Sequence, residues 1–509
     1  MIRWVSRASQ RSLVVATLLL CFTAMKVWSQ DVALTSADGT LTVEGRLLSF
    51  DGEYYQIRSA YGDLTLDGSG VHCQGPGCPS VNAFIAKARI VGATALGETL
   101  MPVLIEGFAS QEGLDLRRVE RAADDFSLEL MNSDTGEVVA EFQFELSDTL
   151  TGFAALEVEE ADFALARFAY EGTKFGTPRV LGLDAVTFSV AADNPMRAVP
   201  LDVLTQILRG QVENWAELGG PDLPLIAMGE VDEVDDQLTA TTAFMAEESQ
   251  TLSGQVVDRV SDDSISIGLT RLSDPGGAVA LGLLGGCGVG FVASPQNLKT
   301  GDYPFASPQF LYQSANRKPR IIRQFLRYLA TDSAARDAEF SGFVSHNLIE
   351  IPLEAQGARI ANAVVQAGND VNLQDLQEMM AELRDAQRLT LTFRFRAGAA
   401  QLDVLSNANL DVLVHHIETG RFDGKELVLA GFSDGDGGSA ANRGIALKRA
   451  QAIRSALLAR SDLLSASDVT LTPMGFGEAM PLACDSSEFE RQINRRVEVW
   501  VRDLPQSEN

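Results

Sequence analysis

The chain is 509 residues long, 46% hydrophobic, and carries 69 acidic against 41 basic residues for a formal net charge of −28. That length exceeds a single domain of roughly 100–200 residues and predicts two or three. An acidic excess spread along the whole chain repels nucleic acid and anionic membranes, so neither is expected as a partner.

Residues 1–29 place Arg3, Arg7 and Arg11 around the start of an apolar run over 13–22. A basic start and a run of about ten apolar residues predict a secretory signal peptide, since a spanning helix needs about 20. Val27-Trp28-Ser29 offers its cleavage site, and Leu20 stands before Cys21 where lipidation would require a small residue. Over 30–87 the short runs Leu41-Thr42-Val43-Glu44-Gly45, Tyr54-Tyr55-Gln56-Ile57 and Leu64-Thr65-Leu66 are separated by Asp-Gly and Tyr-Gly turns. They predict a small β module. Cys73 and Cys78 bracket a Gln-Gly-Pro-Gly turn that could close as a disulfide in an oxidising compartment. A metal there would need two more ligands, and only His72 is at hand. Cys287 and Cys484 fall in different predicted domains and are expected as buried free thiols.

From 88 to 350 apolar strands alternate with helical stretches: 89–91 before 97–108, 185–190 before 201–208, and a late helix over 321–330. The alternation predicts α/β lobes. The glycine run Gly285-Gly286-Cys287-Gly288-Val289-Gly290 lacks nucleotide-binding spacing and reads as a strand and turn. A linker over 351–388 follows, helical without a break from 356 on. Val371, Leu373, Leu376, Met380 and Leu383 give it a narrow apolar stripe, as in a connecting or stalk helix, with the methionines as packing. Residues 389–503 show a β-α-β-α-β rhythm: strand 389–395, helix 402–418, strand 426–430, helix 442–458, strands 469–474 and 497–501.

Within that last unit the strand runs into Gly431-Phe432-Ser433-Asp434-Gly435-Asp436-Gly437 and then the helix. At 100° per residue Ile445, Ala446, Ala452, Ile453, Ala456 and Leu457 form one stripe, and Arg449 points through its middle. A guanidinium so placed must have a partner, and Asp434 is the nearest candidate. Opposite charges held side by side could grip both ends of a zwitterion, or they could be only a structural ion pair. Gly431-Phe432-Ser433-Asp434-Gly435 also fits the Gly-x-Ser-x-Gly elbow of serine hydrolases. That fold places its histidine after the serine, and His72, His346, His415 and His416 all precede Ser433. Asp434 and Asp436 fit the start of a calcium loop, but Ile445 stands where the closing glutamate belongs. No metal, cofactor or catalytic set is expected.

Together these residues resemble the OmpA-like peptidoglycan-binding domain over roughly 389–502. The likeness runs through Leu391-Thr392-Phe393, the Gly431–437 loop, Asn442-x-x-Ile445-Ala446-x-x-Arg449-Ala450, Gly475-Phe476-Gly477-Glu478 with Pro481, and Asn494-Arg495-Arg496-Val497-Glu498. It implies that Asp434 and Arg449 clamp the diaminopimelate of the peptidoglycan stem peptide, with Asn442 adding a hydrogen bond and Arg495 an accessory contact. Phe432 and Ser433 depart from the family's histidine and threonine without removing a charge.

Residues 89–350 resemble the periplasmic phosphate-type solute-binding proteins. The likeness lies in Gly92-Ala93-Thr94-Ala95-Leu96-Gly97-Glu98, Leu183-Asp184-Ala185-Val186, Asp193-Asn194-Pro195, Ile207-Leu208-Arg209-Gly210 through Trp215, and Gly301-Asp302-Tyr303-Pro304. It implies two α/β lobes around a cleft, with an anion taken at helix N-termini. Thr94, Ala95, Asp184, Thr239 and Thr241 are the implied ligand-binding positions, with Thr242 beside the last. Ala93 and Ala95 replace expected hydroxyls, and the acidic run over 229–236 would repel an anion. The expected whole is an α/β protein: a two-lobed periplasmic-binding-protein domain, a C-terminal α+β OmpA-like domain and an N-terminal β module. It would bind phosphate or another small anion in the periplasm, anchored to peptidoglycan, with an ABC transporter as a further expected partner. The alternative is an envelope-organising protein whose middle domain binds a protein or no ligand.

Overall fold

The computed structural model describes residues 31–79, 84–170, 172, 174–228, 254–368, 371–395, 401–461, 463–464 and 468–504. The predicted signal peptide, the acidic run 229–236, and Thr239, Thr241 and Thr242 lie outside them. The chain divides into two compact units, 1–86 with 317–320, and 87–316 with 321–509.

In the first unit the predicted runs become strands Thr42–Phe50, Tyr54–Ser59 and Gly62–Asp67, joined by Val32–Ser36 and Val71–Gln74 into one antiparallel sheet. Val32, Leu34, Tyr55 and Ile57 form its core, and Cys73 is disulfide-bonded to Cys78 with the Cα atoms 5.8 Å apart.

In the second unit the long strand Arg179–Val190 is the spine. It pairs with Ala306–Gln313 through 179–185 and with Ser266–Arg271 through 186–190, so one strand serves both lobes. On the first-lobe side Ala306–Gln313 leads to Phe163–Ala166, Ala86–Ala93 and the hairpins Val138–Ser147, Asp125–Asn132 and Leu114–Ala122. Helices Met101–Glu112 and Arg320–Tyr328 cover it, with Phe108 edge-on to Phe325 at 5.6 Å. The second lobe packs around Trp215, Leu204, Ile207, Leu269 and Leu283. Its glycine run is a turn between strands Gly282–Leu284 and Gly290–Phe291, as its composition predicts.

The C-terminal sheet runs in the order Glu350–Ile351, Gln387–Arg394, Arg496–Asp503, Lys425–Phe432, Val469–Gly475. Side chains alternate across a strand, and here both faces are covered. Leu427 and Leu429 meet helices Val404–Glu418 and Ser439–Arg460 through Leu413, Ile417, Ile453 and Leu457. Val428, Ala430, Phe432 and Trp500 meet Ala363, Leu376, Met379 and Leu383 on the opposite face. The expected stalk is therefore corrected. It is two helices, Gly357–Gln366 and Leu373–Leu383, separated where Asn372 and Asp375 form a capping box, and they close the sheet's second face. Leu373, predicted in the stripe, is 69% exposed, and Met379 takes the core position instead.

The C-terminal domain is also fused to the second lobe. Leu482, Ala483 and Ile493 enter that lobe's core, and Phe489 stacks on Phe305 at 6.0 Å. Cys287 and Cys484 are not free thiols: a disulfide joins them across 197 residues. A buried ionic cluster also joins the lobe to the C-terminal domain. Arg388 is bidentate to Asp302 at 2.6 and 2.9 Å, and its Nε lies 3.3 Å from Glu498. Glu498 also accepts from Arg496 at 2.7 Å and from Arg359.

Candidate functional site

The strand Lys425–Phe432 delivers Ser433 and Asp434 at its end, and helix Ser439–Arg460 returns along it. Two glycines make the return close. A Cβ on Gly431 would sit 2.1 Å from the Ala446 carbonyl oxygen, and one on Gly475 2.5 Å from the Arg443 carbonyl oxygen. Contact at that distance selects small residues, so the buried face is Asn442, Ala446, Ala450, Ile453 and Leu457. Ile445 is 43% exposed and Ala452 is exposed as well. The buried stripe is thus rotated from the expected one, and Arg449 lies half-buried at its edge rather than in its middle.

Helical side chains lean toward the N-terminus, which aims Arg449 back at the loop. Its Nη1 is buried without a hydrogen-bond partner. Burial pulls its guanidinium below the usual value, the Asp434 carboxylate opposes the fall, and the Arg495 charge adds to it. An arginine stays protonated all the same, so the result is an under-solvated cation. Asp434 makes its direct ion pair with Arg495, Oδ2 to Nε at 3.2 Å, which corrects the expected side-by-side contact with Arg449. Asn442 is 1% exposed and donates to Glu478. Arg495 also donates to Glu488.

One carboxylate in this crevice was not singled out from the sequence. Asp485, at φ 59, accepts the Gly435 N–H at 2.8 Å and the Asn494 amide at 2.8 Å. Burial raises its pKa, its two hydrogen bonds oppose that, and nearby Asp434 raises it further. Asparagine and aspartate tolerate the left-handed region, but nothing in the local sequence marks a turn that bonds back across 50 residues. Two guanidiniums, of Arg449 and Arg495, and two carboxylates, of Asp434 and Asp485, thus act on one another here, and the buried hydroxyl of Ser433, next to Asp434 in sequence, also lacks a partner. Such a set suits a ligand bearing both a carboxylate and an ammonium group.

The second constellation lies between the lobes. Thr94 gives its hydroxyl to the Ser147 carbonyl at 2.9 Å, and Ala95 is exposed on the wall of a cavity of about 430 Å³. Asp184 is wholly buried. It accepts from Arg271 at 3.0 Å and from Ser273 through both hydroxyl and backbone N–H at 2.8 and 2.9 Å, with Arg167 at 4.0 Å. Burial dominates its pKa and raises it, while Ser273 and Arg167 pull the other way. Asp184 therefore braces two arginines, one from each lobe, that line the cavity. Neither arginine was among the predicted site residues. Among the described residues no group of three or more His, Cys, Asp and Glu is placed to hold a metal.

Residues 394–495 match the OmpA family, and residues 116–333 match a PBP superfamily domain. Among solved structures, an ABC-type phosphate transport receptor from Vibrio cholerae is 16% identical, covering 51% of this chain and 99% of its own, with a TM-score of 0.37. The peptidoglycan-associated lipoprotein from Burkholderia pseudomallei is 22% identical over 22% of this chain and 89% of its own, TM-score 0.19. The periplasmic domain of Helicobacter pylori MotB is 16% identical over 23% and 75%, TM-score 0.19.

Proposed function

We propose that this chain, which carries a PBP superfamily domain at 116–333 and an OmpA family domain at 394–495, is a non-catalytic periplasmic solute-binding protein. Its C-terminal domain anchors it to peptidoglycan without a covalent bond, and its two-lobed domain takes phosphate or a similar small oxyanion. An ABC transporter is the natural recipient of such a solute. No helix among the described residues is long and apolar enough to cross a membrane.

The observation that carries the anchoring role is the buried, unpartnered Nη1 of Arg449 in a crevice that also holds Asp434. A buried cationic donor without an acceptor is costly, and a ligand carboxylate would satisfy it. Diaminopimelate offers such a carboxylate together with an ammonium for Asp434, while Arg495 fixes the Asp434 carboxylate in place. In the test, Asp434→Ala and Arg449→Ala each abolish pull-down with purified diaminopimelate-type sacculi while melting as the parent does. Retained binding by both variants refutes the assignment.

A further inference from the structure

We infer that Asp485 is a positioning residue of the peptidoglycan crevice, setting the loop that carries Asp434, and that it is itself held in place from the second lobe; the inference rests on the anchoring just proposed. Asp485 stands at the end of a short segment, 482–485, that belongs to both domains at once.

On the lobe side Leu482 and Ala483 are buried in the core around Trp215 and Leu283, and Cys484 is disulfide-bonded to Cys287 with the Cα atoms 5.5 Å apart. Cys287 lies in the turn between strands Gly282–Leu284 and Gly290–Phe291. Its N–H donates to the Cys484 sulfur at 3.0 Å, and Gln366, at the end of helix Gly357–Gln366, donates to its carbonyl at 2.7 Å. The chain is thus fixed, one residue before Asp485, by a covalent bond to the other domain. Asp485 takes φ 59, a left-handed conformation that aspartate tolerates but that the surroundings must impose.

On the crevice side Asp485 Oδ2 accepts the Gly435 N–H and Oδ1 the Asn494 amide, both at 2.8 Å. Gly435 follows Asp434, so the first bond fixes the backbone beside the carboxylate assigned to the ligand's ammonium. The approach is close: a Cβ on Gly435 would come within 3.0 Å of Asp485 Oδ2. Asn494 ties the same segment to the other side of Asp434. It is fully buried, and its Oδ1 accepts the N–H groups of Leu482 and Ala483 at 2.7 and 3.0 Å. Its chain neighbour Arg495 pairs with Asp434 at 3.2 Å.

Asp434 is therefore set from two directions, through Gly435 and through Arg495, and both lead back to 482–485. Each Asp485 oxygen is committed to a donor of the protein, which marks positioning rather than a direct grip on the ligand. A binding group works only while its supports hold it within about 0.5 Å of the productive place, and a carboxylate bonded to a backbone N–H is one of the stronger supports.

Sedimentation of the full chain with purified diaminopimelate-type sacculi, read as a binding isotherm, tests this. Asp485→Gly removes the acceptor while glycine suits the positive φ, and it should weaken binding by about tenfold, or about 1.4 kcal/mol. Asp485→Asn keeps an acceptor for the Gly435 N–H and tolerates the same φ, so it should recover most of that loss although the charge is gone. Cys287→Ser with Cys484→Ser, measured where the buried Trp215 and Trp500 report a folded chain, should lose about as much as Asp485→Gly. Parent-like binding by Asp485→Gly overturns the inference. Asp485→Asn falling as far as Asp485→Gly overturns it too, because the carboxylate charge would then act on the ligand itself. Parent-like binding by the double-serine variant overturns the hold from the lobe. A parent chain that does not sediment with sacculi refutes the anchoring reading and this inference with it, whereas a binding parent with indifferent variants refutes this inference alone.

Discussion

Asp302→Asn is the substitution that probes the junction between the second lobe and the C-terminal domain most directly. Asp302 stands on the lobe, 11% exposed, and holds Arg388, 1% exposed, at 2.6 Å. Burial pushes the Asp302 carboxyl up, but the charges of Arg388 and Arg359 outweigh it and hold the group below its ordinary value. An amide keeps the shape and removes the charge. Arg359, Arg388 and Arg496 would then share Glu498 as their remaining carboxylate in the cluster. Removing one partner of a buried ion pair costs about 3–5 kcal/mol. Because Glu498 still faces Arg388 at 3.3 Å, the low end, about 3 kcal/mol, is expected. Urea unfolding followed by tryptophan fluorescence reads it well, since Trp215 in the lobe and Trp500 in the C-terminal domain are both fully buried. One shared transition should move to lower urea. The double variant Asp302→Leu with Arg388→Met should recover most of the loss, because apolar replacement of a whole buried pair is often neutral. A loss below about 1 kcal/mol in Asp302→Asn would refute the view that this cluster fastens the two domains.

Replacing Cys287 and Cys484 together by serine opens a loop of 197 residues. The chain-entropy argument puts the loss at up to about 5 kcal/mol, and non-reducing mass mapping of the parent should recover the linked peptides. His346 bonds to Asn409 at 2.7 Å, and burial first, with the Lys299 charge, pulls its imidazole down to about 4. The unfolded chain takes up that proton near pH 6.5 and the folded chain only near 4, so the stability is whole above 6.5 and is lost as pH falls to 4. At 1.36 kcal/mol per unit this is at most about 3 kcal/mol. His346→Gln should flatten that stretch of the stability-against-pH curve without abolishing it, since His416 titrates in the same window; an unchanged slope would contradict the assignment. Gly431→Ala puts a methyl 2.1 Å from the Ala446 carbonyl oxygen. It should displace the helix that carries Arg449 and cost sacculus binding, whereas Gly438→Ala, which meets no atom within 4 Å, should not.

The C-terminal strands were legible because both faces of their sheet are covered, which writes Leu427 to Phe432 as a continuous apolar run. The helix after them was legible in extent but not in phase. A wheel weighted by hydrophobicity turns Ile445 inward, whereas the close approach of Gly431 to Ala446 and of Gly475 to the Arg443 and Leu447 backbone sets the helix's phase, and those glycines sit on other segments of the chain. The same holds for Asp302, Arg388 and Glu498, and for Cys287 with Cys484, which meet only through the fold. The linker's break had a local sign in Asn372-x-x-Asp375, a capping pair that a stripe of leucines and methionines overshadowed. Most instructive are Arg167 and Arg271. Each is a single charge in an apolar stretch, Ala164-Leu165-Ala166-Arg167-Phe168 and Gly268-Leu269-Thr270-Arg271-Leu272, the same signal that made Arg449 conspicuous. A reading led by hydroxyl residues named Thr94, Ala95 and Asp184 with Thr239 and Thr241; among the described ones Thr94 is spent on Ser147, Ala95 cannot donate, and Asp184 lies buried against Arg271. A lone arginine at the end of a buried strand must be held by something, and here one holder, Asp184, lies in the strand that runs through both lobes. That connection lets one buried carboxylate orient a cation from each side of the cleft, so a change in the spacing of the lobes would change the field an incoming anion meets.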